Sequence, residues 1–296
     1  MPMNVISPLR LAGTPVRLAV TPRDREDAIR LGMPHLSGCG ISENWLLKEL
    51  GHRHWMMLAG QAGMNGPDFR DDEGRQVYAA FCAVRLTDAR LDLGVENGAL
   101  AIRSTMRRVS RTQVESRHEL RIDGVAAGLV KMVSTFIRRT GRGNHSVARV
   151  ALDDLVPVDP LPSDLASLAA TLRARRRPHH FGINLSAVST EIAAFEFDPC
   201  PELDFNGAGF LYFPSFLAFV DRAEWQLSRR RSALARRDAF YHGNVDPGVP
   251  IRVVLVAEEP VRSTRWWRLE RTDERAILAD VFTQRLQTAV NAYTAI

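Results

Sequence analysis

Two stretches carry the fold: GCGISENWLLKELGHRHW at residues 38–55 and GAGFLYFPSFLAFVDRAEW at residues 207–225. Each opens on Gly-x-Gly and closes on Trp. Gly40 to Trp55 is 15 steps, Gly209 to Trp225 is 16, and Arg53 and Arg222 come shortly before the two tryptophans. A self-match of this kind points to an internal repeat. Both stretches read as helices. In the first, Ser42 is a good N-cap and Glu43 sits favourably in the first turn. Leu46, Leu47, Leu50, Met57 and Leu58 make an apolar stripe that also carries His54. In the second, Phe213, Phe216, Leu217, Val220 and Leu227 make a stripe that includes Glu224. Each helix thus has one face to lay against a sheet.

The segments after each helix repeat as well. Strand-like runs at 77–86, 99–106, 108–122 and 125–138 come after the first, and runs at 239–245, 249–258, 263–270 and 276–285 come after the second. The third of the latter set, STRWWRLE, has the aromatics and Thr of a half-buried strand. The last, ILADVFTQRL, also fits a helical period. Segments 14–20 and 187–197 stand before the helices as further strands. A helix wrapped by antiparallel strands is a hotdog. The predicted fold is α+β, a double hotdog whose two repeats join edge to edge into one continuous sheet. The repeats span 1–155 and 181–296. The connector, 156–180, holds Pro157, Pro160 and Pro162 and then a short helix over 163–177.

Composition agrees with a folded chain. The 296 residues are 45% hydrophobic and 25% charged, which argues against disorder. No apolar run reaches the ~18 residues of a membrane-spanning helix, so no membrane association is expected. MPMNVISPLRLAG, at 1–13, lacks the basic-then-apolar order of a secretion signal, so a cytoplasmic location is expected. Cys39, Cys82 and Cys200 are odd in number and form no CxxC pair, which speaks against disulfides or a cysteine zinc site. The net charge of +5 comes almost wholly from arginine: Lys48 and Lys131 are the only lysines. That bias fits either a GC-rich genome or recognition of phosphate and carboxylate groups. The excess is too thin for a nucleic-acid binder.

Chemistry has several candidate places. Gly38 and Gly40, and again Gly207 and Gly209, precede a helix start. There, backbone N–H groups can approach a ligand beside a positive dipole end. That suits a thioester oxygen that becomes negative during reaction; a plain tight turn is the alternative. His35, Ser42, Glu43 and Asn44 either orient a substrate or cap the helix. Asn206 and Tyr212 flank the second Gly-x-Gly, where Asn206 either meets a carbonyl or forms a turn. Tyr78, with Tyr241 and His242 in the matching strand, either donates a proton or fills the core. In ARRRPHH, at 174–180, and the preceding Arg173, the arginines Arg173, Arg175, Arg176 and Arg177 offer contacts for coenzyme A phosphates or an acidic carrier protein, or simply a solvated linker. The cluster at 229–231, with Arg236 and Arg237, complements the end of the second helix. No Walker, Rossmann, HExxH or GxSxG motif is present, and no metal site is expected.

The stretches MPHLSGCGISENWLLKELGHRHW (33–55), GRQVYAAFCAVRL (74–86), STFIRR (134–139) and DFNGAGFLYFPSFLAFVDRAEW (204–225) resemble the leinamycin-pathway type of bifunctional acyltransferase/decarboxylase. The resemblance spans most of the chain, from about Met33 to about Arg285. It implies a double hotdog in polyketide-type biosynthesis that decarboxylates methylmalonyl-CoA and passes the propionyl group to an acyl carrier protein. No cofactor is implied beyond the coenzyme A thioester itself. The chemical tyrosine of that family falls on Tyr78. Loss of CO2 would leave an enolate stabilised by the 38–42 turn and Asn206, and Tyr78 would protonate it or accept the acyl group. The catalytic candidates are therefore Tyr78, Ser42, Asn206 and His35. The substrate-binding candidates are Gly38, Gly40, Glu43, Asn44, Gly207, Gly209, Tyr212, Arg173, Arg175 and Arg176. A monofunctional decarboxylase is a close variant. A hotdog thioesterase or dehydratase, with Asp204 or Glu224 as base, and a non-catalytic carrier-docking module remain as competitors. The pseudo-dimer allows a monomer or a homo-oligomer.

Overall fold

Each repeat is built around one helix, and the helix boundaries follow from the residues. In the computed structural model, which describes residues 5–8, 25–151, 160–186, 191–230 and 232–286, the first helix, α1, spans Glu43–Gln61. Ser42 caps it: its Oγ accepts from the Trp45 N–H at 3.3 Å. Leu46, Leu47, Leu50, His54 and Leu58 are buried on one stripe.

In chain order the strands of the main sheet and the helices are as follows. β1 is Val5–Pro8 and β2 is Arg25–Arg30. After α1 come β3 (Tyr78–Thr87), β4 (Ala99–Ser110), β5 (Gln113–Ile122), β6 (Val125–Arg139) and β7 (Val147–Ala151). The connecting helix α2 is Asp164–Arg173, capped by Ser163. Then come β8 (Ala193–Phe197), α3 (Phe213–Ser228), β9 (Leu234–Tyr241), β10 (Ile251–Glu259), β11 (Thr264–Arg271) and β12 (Ile277–Arg285).

The strands form one 12-stranded sheet in the order β8-β10-β11-β12-β9-β3-β6-β5-β4-β2, with β7 joining β6 to β1. Outward from its middle, the sheet shows the same topology twice. One side runs β3-β6-β5-β4-β2 and the other β9-β12-β11-β10-β8. Each repeat therefore places the strand before its helix at the outer edge and the strand after it at the seam. This is the double hotdog, as the sequence repeat predicts.

One face of the sheet packs on α1 and α3 through a large core from both repeats, including Leu46, Leu50, Phe216, Val220, Trp267 and Leu269. On the other face α2 seals a second core of Cys82, Ala83, Val133, Leu165, Phe240 and Phe282. The central strands are thus covered on both sides, so their sequences lose the alternation of a half-exposed strand. That is why ILADVFTQRL, a strand here, also fits a helical period. The strand expected at 239–245 starts earlier and ends sooner, at Leu234–Tyr241. The segment at 14–20, residues 152–159 where the first repeat passes into the connector, and 187–190 lie outside the described residues. Among the described residues no helix is long and apolar enough to cross a membrane.

Candidate active site

The seam is where the two repeats make a site. β9 pairs with β3 antiparallel from Arg237↔Leu86 to Phe240↔Ala83. Beyond that point the strands part. β3 continues along β6 to Tyr78↔Ile137, while Tyr241 stays with β12. The gap opens into a cavity of about 840 Å³. Its apolar wall comes from both helices and their approaches, with Trp55 on one side and Phe210, Phe213 and Phe216 on the other.

Packing between the helices sets its depth. A Cβ on Gly51 of α1 would lie 2.9 Å from the Phe213 ring and 3.2 Å from the Tyr212 hydroxyl, so only glycine admits α3 this closely. Burial pushes the Tyr212 hydroxyl above its usual range. Tyr241, wholly buried, donates to the Phe213 carbonyl at 3.2 Å and is also pushed up, by burial first and by Glu43 second.

The 206–210 turn forms the polar lip. The Asn206 Oδ1 accepts from the Ala208 and Phe210 N–H groups at 3.0 and 3.1 Å, and Gly209 turns with φ +74°. The first repeat clamps this turn. Arg139 donates to the Ala208 carbonyl at 2.7 Å, and the Asn144 Nδ2 donates to the Gly209 and Val245 carbonyls at 2.6 and 2.7 Å. The Arg139 guanidinium lies 4.1 Å from the centre of the Phe210 ring and 5.7 Å from that of Tyr78. Donors at this lip with no hydrogen-bond partner among the described residues include the Tyr78 hydroxyl, the Asn206 Nδ2 and the Gly207 N–H. His145, exposed beside the lip, has Asp246 behind its Nδ1 at 3.6 Å.

Of the residues singled out in the sequence, Tyr78, Asn206, Gly207, Tyr212, Arg173, Tyr241 and His242 line this one cavity. Arg175 lines a smaller neighbouring pocket that shares Arg173 and His242 with it. Arg176 is exposed and lines neither. Gly209 shapes the lip from behind.

The group at the start of α1 lies elsewhere, and each member is engaged. The His35 Nδ1 accepts from the Gly32 N–H at 2.8 Å, and its ring packs on Trp45. Gly38 and Cys39 turn a two-residue hairpin between Leu36–Ser37 and Gly40–Ile41. Gly40 has φ +92°, and a Cβ there would fall 2.0 Å from the Leu91 carbonyl oxygen, so its glycine answers a packing need. Ser42 is the cap. The Asn44 Nδ2 donates to the Pro214 carbonyl at 3.5 Å.

Glu43 accepts from the Arg237 Nη1 at 2.5 Å within a cluster that holds Asp221, Glu224 and Arg285. Three carboxylates there face two guanidiniums. Burial raises the Glu43 carboxyl to about 7, with Arg237 opposing the shift. Glu224 belongs to this cluster, bonded to Trp267 and Arg285. Asp204 accepts from the Cys200 N–H at 2.9 Å and lies outside the cavity. The structure thus gives both carboxylates structural partners.

His54 is a core histidine. It bonds the Ser116 and Ser134 hydroxyls at 2.7 Å each, and His118 continues the chain to Ser116 and Ser104 at 2.9 and 2.8 Å. Burial pushes both imidazoles down to about 3. Among the described residues no three His, Cys, Asp or Glu side chains gather as a metal site.

No protein-family model matches the chain, and no curated protein matches it. Solved structures do. An acyl-ACP thioesterase from Bacteroides thetaiotaomicron aligns with TM-score 0.61 at 9% identity, covering 88% of this chain and 97% of that one. A 12:0-ACP thioesterase from Umbellularia californica aligns with TM-score 0.63 at 6% identity, covering 88% and 96%. A MaoC-like dehydratase from Phytophthora capsici aligns with TM-score 0.50 at 11% identity, covering 90% and 97%. At such identities the likeness shows the fold. No sequence match singles out the leinamycin-pathway type.

Proposed function

We propose that this protein is an enzyme acting on acyl thioesters and that its reaction is hydrolysis. The observation that supports this is the seam cavity itself. A chamber of about 840 Å³ with an aromatic wall ends at a lip carrying unengaged donors, Tyr78, Asn206 and Gly207 among them. The acyl chain lies among Trp55, Phe210, Phe213 and Phe216. The thioester oxygen meets the lip donors, which stabilise it as negative charge develops. Water adds to the carbonyl carbon, giving up a proton to His145, which Asp246 orients. The carbon–sulfur bond then breaks, and the thiolate takes a proton to leave as coenzyme A or carrier-protein thiol. Water is the nucleophile, so no cofactor enters. The acyl-ACP thioesterases among the structural neighbours make a carrier-bound substrate a natural choice.

A second reading is favoured by Tyr78, which lines the cavity and whose hydroxyl has no hydrogen-bond partner among the described residues. Here methylmalonyl-CoA loses CO2, the enolate takes a proton at its α-carbon from the Tyr78 hydroxyl, which regains one from water, and the thiol of an acyl carrier protein then attacks the propionyl carbonyl and displaces coenzyme A as its free thiol. A decarboxylase that stops at propionyl-CoA is the shorter version.

One panel separates these reactions. The protein is given simple acyl-CoAs, malonyl-CoA and methylmalonyl-CoA, with and without a carrier protein, and free thiol, CO2 and carrier mass are measured. Thiol from the simple acyl-CoAs is the expected result. CO2 with a loaded carrier would replace hydrolysis by the second reading. Neither product from any thioester would sink both.

A further inference from the structure

The register of the sheet places one residue that sequence patterns do not mark. Tyr78 pairs directly with Ile137, and Ile137 pairs directly with Arg149. Directly opposed residues project from the same face. Tyr78 and Arg149 therefore share the α2 side of the sheet, two strands or roughly 10 Å apart. Cys82, on the same face four residues along β3, lies in the core sealed by α2. Arg173 closes this corner from the end of α2 and donates from its Nη2 to the Tyr241 carbonyl at 2.8 Å. Both arginines line the seam cavity.

Neither has a carboxylate partner among the described residues. The Arg149 Nε is buried and accepted by no group. Other arginines set into the sheet do have a carboxylate partner. Arg85 binds Asp238 and Asp164, Arg237 binds Glu43 and Asp221, and Arg252 binds Glu191 and Glu270. The surroundings of the pair offer no compensation: β3 supplies the Cys82 thiol, β5 the Gln113 amide, and the residue that follows β9 is His242, which is held by Asp280. Glu274 is the only carboxylate in the cavity lining among the described residues, and it is exposed and paired with neither arginine. Burial pushes the Arg173 guanidinium below its usual range, and the charge of Arg149 adds to that. Two guanidiniums facing one cavity repel each other, and an oxyanion between them relieves that cost through charge-assisted, forked hydrogen bonds.

We propose that Arg149 and Arg173 together form an oxyanion site in the wall of the seam cavity, which holds a phosphate or carboxylate group carried by the ligand. The site deepens the thioester reading and rests on it for the identity of the ligand. Binding alone tests it, so a protein that binds but does not turn over would sink the reaction and leave the site standing.

Calorimetry is run on the full chain with two probes. Coenzyme A carries phosphates and no acyl carboxylate. A non-hydrolysable analogue of an N-acetylcysteamine thioester with a carboxylate-ended acyl chain carries no phosphate. Its methyl-ended counterpart is the control. Arg149→Gln and Arg173→Gln should each weaken one of the two probes at least tenfold and leave the control unchanged. Loss of coenzyme A binding assigns the site to phosphate, and loss of the carboxylated analogue assigns it to an acyl carboxylate. Arg149→Lys should keep part of the affinity lost in Arg149→Gln. For the unaltered protein, inorganic phosphate should compete with the affected probe and not with the control. If both probes bind Arg149→Gln as they bind the parent protein, or if phosphate competes with neither, the proposal is overturned.

Discussion

The ring of Tyr78 meets the ring of Phe210 edge to face, with centroids 5.4 Å apart. Tyr78 belongs to the first repeat and Phe210 to the second. The cavity lip is therefore a joint product of the two repeats, and neither half would have it alone. Such an aromatic pair contributes roughly 0.5–1.5 kcal/mol beyond its area, and it sits where the ligand's reactive carbon is expected.

Tyr78→Phe keeps that ring contact and removes the unengaged hydroxyl. Turnover should fall by roughly 100-fold, the range for removing one oxyanion donor. Stability should change by less than about 0.5 kcal/mol, because no hydrogen bond within the protein is lost. Steady-state rates beside a denaturant melt check both halves of the expectation. A variant as active as its parent would remove Tyr78 from the chemistry.

Gly51→Ala sets two effects against each other. Alanine gains about 1 kcal/mol of helix propensity over glycine. Its methyl would lie 2.9 Å from the Phe213 ring, and overpacking of this kind costs roughly 1–3 kcal/mol. The clash should win, with net destabilisation of about 1 kcal/mol and weaker binding of long acyl chains, read by thermal melting and KM against chain length.

The His54–Ser116–His118 chain makes an acid-labile element. Both imidazoles fall from an ordinary 6.5 to about 3 in the fold. A folded-state value depressed below the unfolded one contributes stability that is complete above 6.5 and is lost as the pH drops toward 3. The loss should reach several kcal/mol for the two groups together, since a tenfold change in proton affinity between folded and unfolded chain is worth about 1.4 kcal/mol. In nitrogen-resolved spectra the two rings should hold one neutral tautomer from about pH 8 to about pH 5, while an exposed imidazole titrates near ~6.5. A midpoint for either ring inside that range would contradict the buried network.

Glu43 works in the opposite sense. Its folded value of about 7 stands above the ordinary 4.5, so its contribution is complete below 4.5 and fades as pH rises through 7. Glu43→Gln keeps an acceptor for Arg237 and removes the titration. The parent should lose stability between about pH 5 and about pH 8 relative to this variant. Parallel melting curves across that range would place the proton elsewhere in the cluster.

Much of the architecture is written in local patterns. The paired Gly-x-Gly…Trp stretches mark both helices, and Ser42 and Ser163 cap their helices as short polar residues before apolar stripes do. The start of β9 is harder to see because Arg236 and Arg237 read as charges that complement the end of the second helix. In the fold Arg237 is bound by Glu43 and Asp221, and Asp238 by Arg85 and His180, so a charged run enters the sheet interior. The site is legible only in part. Tyr78, Asn206 and Tyr212 stand out as residue types beside recognisable motifs. The cavity itself arises where β3 and β9, far apart in the chain, stop pairing, and no local pattern reports that. Arg149 acquires its place from register alone. The two glycine motifs also diverge in cause. Gly40 avoids the Leu91 carbonyl, whereas a Cβ on Gly209 would meet nothing nearer than Arg139 at 3.7 Å, so its glycine serves the turn.

The functional reading depends above all on an acyl thioester occupying the seam between the repeats. Photo-crosslinking probes that occupancy, with a non-hydrolysable acyl-coenzyme A analogue bearing a diazirine on the acyl chain and the adducts mapped by peptide mass spectrometry. Adducts are expected in residues 78–82 and 206–216, competed away by unlabelled acyl-coenzyme A. Competed adducts confined to residues 35–44, at the first glycine turn, or to the outer surface, would contradict it.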